Sequence, residues 1–249
     1  MVNPEKHHKH FSLAIALAFL LVIQRFATPE PIFRFLVPAF LILTALVTWY
    51  NRWYLIKIAK YNFWLLLRPI LLLCAAFGLF SVLPSQGVRG LFLIASVLVI
   101  TFCEFLVGAT AENFFVNETL LIAFGIFCAS AAFYQYAPAF GIYYVIGLFA
   151  GVGLLSRSFY EFLPVSGKTK IVGSLMLALF SAEVFWALSF LQFHFSALAF
   201  ILFSVFYFLM SVSYYHIFQT LSFKKIQFHL YLVSACIILV LISTPWSLI

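Results

Sequence analysis

Three ionisable side chains sit inside apolar stretches of the chain: Arg68, Glu104 and Glu183. Charges within a bilayer are rare and costly, and they default to ion pairs, proton relays or substrate sites. Arg68 falls in a span at roughly 63–83 and Glu104 in the next span, at roughly 88–109. Each charge lies about five residues to the same side of its span's midpoint, or ~7.5–8 Å at 1.5 Å per residue. The matched depth predicts an ion pair that neutralises both charges. Snorkelling of Arg68 to the interface and a transport role are the alternatives. Pro69 follows Arg68 and frees a backbone carbonyl one turn earlier.

Glu183 lies in SAEVFWALSFLQFHF, residues 181–195. It falls within ~3 Å of the centre of a span at roughly 170–192. No basic residue occupies that depth on another span. Ionising a carboxyl there costs ~2.5–3.5 kcal/mol even on the lenient insertion scale. The expectation is a neutral carboxyl that faces the bundle interior and donates a hydrogen bond to a neighbouring span, with Ser181 and Ser189 helping. Its plain role is a tether between helices. Its sharper role is a protonatable site in a transporter.

Other candidates are weaker. The external loop RFATPEPIFR holds Arg25, Glu30 and Arg34, and His194 sits at a second external turn. Together they would suit an external-face pocket of an intramembrane or lipid-processing enzyme. Gly147 and Gly151 in IGLFAGVG are spaced to let helix backbones approach, within the monomer or across a dimer. His7, His8 and His10 lie in a basic tail, and His216 and His229 end one hairpin; no metal site is expected from either set. Cys74, Cys103, Cys128 and Cys236 fall in apolar spans without a CxxC and read as small hydrophobes. No cofactor is expected. HExxH, GxSxG, Walker A and CxxCH signatures are absent, so the sequence favours a non-enzyme.

The elements that must position these groups are transmembrane helices. The chain is 65% hydrophobic and only 8% charged, against about 25% charged for a soluble domain. Its apolar stretches do not alternate as barrel strands do, and a spanning helix satisfies its own backbone. The pattern predicts an all-α bundle of about nine spans, at roughly 10–25, 32–50, 63–83, 88–109, 117–135, 139–157, 170–192, 196–217 and 227–245. TPEP, PSQG, YAPA and PVSG mark breaks, and QFHF at 192–195 is the weakest of them. A single integral membrane domain over 1–249 is expected, with a short basic tail at 1–10 read as the start of an uncleaved signal anchor.

Lysines and arginines set the orientation. Lys6, Lys9, Arg52, Lys57, Lys60, Arg157, Lys168, Lys170, Lys224 and Lys225 fall on one side, against Arg25, Arg34 and Arg89 on the other. The bias places the N-terminus in the cytoplasm of a cell (plasma) membrane. The segment near 110–118 then forms a cytoplasmic loop with Glu112 and Glu118. Trp49, Trp53, Trp64 and Trp246 mark span ends, whereas Trp186 lies deep. The net charge of +7 follows this topology rather than a basic patch for nucleic acid. The expected partners are membrane lipid and a membrane protein or second copy. The expected role is a structural or partner subunit, with a small-solute or proton-coupled transporter as the alternative.

Overall fold

The structure, a computed structural model, describes residues 64, 67–82, 95, 112–136, 141–191 and 193–244. The chain falls into two compact units, Met1–Glu118 and Thr119–Ile249. The described residues are helical: α1 (Leu67–Val82), α2 (Glu112–Tyr136), α3 (Gly141–Glu161), α4 (Gly167–Ser189), α5 (Phe195–Ile217) and α6 (Phe223–Ser243). The boundary between the units falls within α2. Five helices, α2 to α6, are long and apolar enough to cross a membrane. They coincide with the last five expected spans. The span at 63–83 contains α1, and the expected spans at 10–25, 32–50 and 88–109 lie outside the described residues.

Hydrocarbon gives helices no hydrophobic reason to associate, so they depend on close packing and on polar contacts. In the second unit α2 is the most enclosed helix. Its Phe127 meets Phe206 of α5 edge-on at 5.6 Å, and its Tyr134 meets Phe185 of α4 at 5.7 Å. Phe127, Phe185 and Phe206 are all buried. Phe133 of α2 stacks on Tyr144 of α3. The most extensive helix pair is α3 with α4, and α6 rests on α5 at the periphery. Small residues line the buried side of α4: Ser174, Ala178, Ser181 and Ala182.

The ends of the helices are written locally. Ser166 caps α4, its hydroxyl accepting the Thr169 N–H at 3.3 Å. Ser222 caps α6 in the same way through the Lys225 N–H at 3.4 Å. The weak break at QFHF is a tight hairpin between α4 and α5. The C-terminal end of α2 holds both sides of it: the Tyr134 hydroxyl donates to the Ser189 carbonyl at 3.4 Å, and the Phe195 N–H donates to Gln135 Oε1 at 2.9 Å. Gln219 ends α5 in the left-handed region at φ 54°. There the Gln219 N–H donates to the His216 carbonyl and the Thr220 N–H to the Tyr215 carbonyl, the two bonds of a Schellman end.

Two helices start earlier than the expected spans at 117–135 and 227–245. The segment at 110–118 is helical from Glu112, because α2 begins about one and a half turns earlier than the hydropathy suggests. Lys224 and Lys225 sit in the first turn of α6 rather than in a loop, since Ser222 starts the helix there.

Candidate functional site

Two polar sites interrupt the apolar packing, one in each unit. In the first, Arg68 is the second residue of α1 and is completely buried. Its Nη1 donates to Glu118 Oε2 at 2.7 Å, and the Glu118 side chain is equally inaccessible. Thr119, next along α2, is also buried. Such a pair is tolerable only when geometry and further hydrogen bonds offset the desolvation of both charges. Glu104, the expected partner of Arg68, lies outside the described residues. Glu118 falls where the span at 117–135 overlaps the loop at 110–118, so hydropathy alone does not mark it as buried. With α2 starting at Glu112 it is an intramembrane carboxyl near the start of a span, and the depth argument that selected Glu104 would have selected it too.

The second site lies along α4. Glu183 is exposed, and the sequence expectation is corrected here: its carboxyl does not point into the bundle. Ala182 and Phe185 take the inward positions around it. Trp186, one turn on, is 45% exposed and packs edge-on against Phe190 at 5.4 Å. The two serines expected to help are satisfied within their own helix. Ser181 Oγ donates to the Leu177 carbonyl at 2.7 Å and Ser189 Oγ to the Trp186 carbonyl at 2.7 Å.

Glu183 forms one end of a groove of about 310 Å³ between α4 and α5. Met176, Phe180 and Leu209 make its apolar wall, and Tyr160 and Ser213 close the other end. Those two side chains come from α3 and α5. From Gly173, also at that end, to Glu183 is ten residues of helix, or ~15 Å, half the thickness of a bilayer's hydrocarbon. Gly173 makes the arrangement possible. A Cβ built there would lie 2.7 Å from Cζ of the buried Tyr160 ring.

No protein-family model matches this chain, and no curated protein or solved structure is significantly similar to it. The function must therefore be read from the sites themselves.

The remaining candidates fall into place as local structure. His194 caps α5, its Nδ1 accepting the Ser196 N–H at 3.4 Å and lying 2.8 Å from Ser196 Oγ. Arg25, Glu30 and Arg34 lie outside the described residues, as do His7, His8 and His10. A Cβ on Gly151 would meet Ile126 of α2 at 3.6 Å, an ordinary contact, and one on Gly147 meets nothing within 4 Å among the described residues. Neither is the close-approach glycine; Gly173 is, and only a ring packed directly over its Cα reveals it. Cys128 is buried and Cys236 partly so, but Cys74 is exposed, against the reading of it as a buried hydrophobe. Cys103 lies outside the described residues.

His229 of α6 packs on tyrosines of α5 rather than on His216. It is buried between two tyrosines of α5, with Nδ1 at 3.0 Å from the Tyr207 hydroxyl and Nε2 at 3.4 Å from that of Tyr215. His216 is exposed. Among the described residues no group of His, Cys, Asp or Glu is placed to hold a metal ion. At the neighbouring hairpin, Glu161 is bridged by Arg157 at 3.2 Å and by Lys170 at 3.3 Å, which ties the end of α3 to the start of α4.

Proposed function

We propose that this chain is a multi-pass subunit of a membrane assembly, and that it docks on its partner through the outer face of α4. It spans a cell membrane about nine times with its N-terminus in the cytoplasm. The reading is carried by one observation: Glu183 lies exposed within α4, about a turn and a half before its end at Ser189, on a helix face that is otherwise apolar. Apolar side chains are at home in lipid and need no cover. A carboxyl at that depth does, because hydrocarbon offers it neither donor nor acceptor. A protein surface that meets it with a hydrogen-bonding group removes the penalty.

The test is the reactivity of Glu183 towards dicyclohexylcarbodiimide, which partitions into lipid and modifies accessible protonated carboxyls. In native membranes Glu183 is expected to react slowly. After purification and dilution into lipid vesicles it is expected to react fast. Equal rates in the two states would remove the proposal.

A second reading, a proton-coupled or small-solute transporter, draws on the groove that joins Glu183 to the Tyr160–Ser213 pair. It requires that Glu183→Gln abolish dissipation of an imposed pH gradient in vesicles while leaving the fold intact, since an amide cannot release a proton. A wild-type protein that leaves the gradient standing ends it.

A further inference from the structure

We draw no further inference here: the strongest candidate, the groove of about 310 Å³ between α4 and α5 that runs from Tyr160 and Ser213 to Glu183, belongs to the site already described, and nothing in the structure shows which molecule covers it.

Discussion

Arg68 is the largest fully buried side chain among the described residues, and its charge is met by Glu118 at 2.7 Å. Removing one partner of such a pair strands the other in a medium that cannot solvate it. Glu118→Gln should therefore destabilise the protein by about 3–5 kcal/mol, while Arg68→Met combined with Glu118→Leu should cost much less. Denaturant unfolding of the three proteins in detergent checks the order. Gly173 makes a second prediction at this scale. A methyl group there would lie against the buried Tyr160 ring. Gly173→Ala should cost about 1–3 kcal/mol through overpacking. Tyr160→Leu in the same background should recover part of the loss, because a smaller side chain leaves room for the methyl. Of these residues the sequence made only Arg68 visible. Charge stands out in an apolar segment, whereas the need for a glycine at 173 depends on a ring that is near only after α3 and α4 have packed.

Helices were legible for the same reason. Long apolar runs bounded by turn residues leave the backbone one way to satisfy itself, and α2 to α6 follow that logic closely. What hydropathy could not supply was helix ends that continue past the apolar run, as α2 does at Glu112, or which face of a helix turns inward. Large side chains occupy both faces of α4, so the sequence carries no stripe to orient it. Its inner side is marked instead by Ser174, Ala178, Ser181 and Ala182, a pattern of size rather than polarity. The end of α5 gives a prediction for this scale. Gln219 occupies the left-handed position that glycine fills without strain. Gln219→Gly should stabilise the protein by about 1 kcal/mol, seen as a higher midpoint in thermal unfolding. The clamp on α6 gives another. His229→Phe removes both tyrosine contacts and leaves two hydroxyls without their partner. Amide exchange in α6 should accelerate while that of α2 and α3 stays slow, because α6 packs chiefly on α5.

For the molecule as a whole, composition and hydropathy make the helical membrane class legible, but not the side of α4 on which Glu183 lies. The orientation is open to a direct check. A cysteine introduced at Lys168 should be labelled by an impermeant thiol reagent only when the cytoplasmic face is accessible. Labelling from outside intact cells would invert the topology. Spacing along one chain weighs the cost of the Glu183 carboxyl only against that chain's own groups. Residue spacing fixes depth but not facing, and in the structure the carboxyl lies on the exposed side of α4. The same physics, an unsatisfied carboxyl in hydrocarbon, thus predicts an interior tether from the sequence and a docking face from the structure.

The grip of α2 on the α4–α5 hairpin bears on how the protein is made. Tyr134 and Gln135 are adjacent, and they hold the two sides of a turn whose partners, Ser189 and Phe195, lie 55 and 60 residues downstream. A ribosome delivers α2 first. When the hairpin later leaves the insertion machinery, the groups that close it are already waiting at the membrane surface. The turn is thus held by α2 as well as by its own backbone, where the Leu191 N–H donates to the Leu188 carbonyl and the Phe193 N–H to the Leu191 carbonyl. It follows that a reporter or epitope spliced into residues 190–194 would block assembly, whereas the Thr220–Leu221 turn, which closes on its own backbone, would accept one.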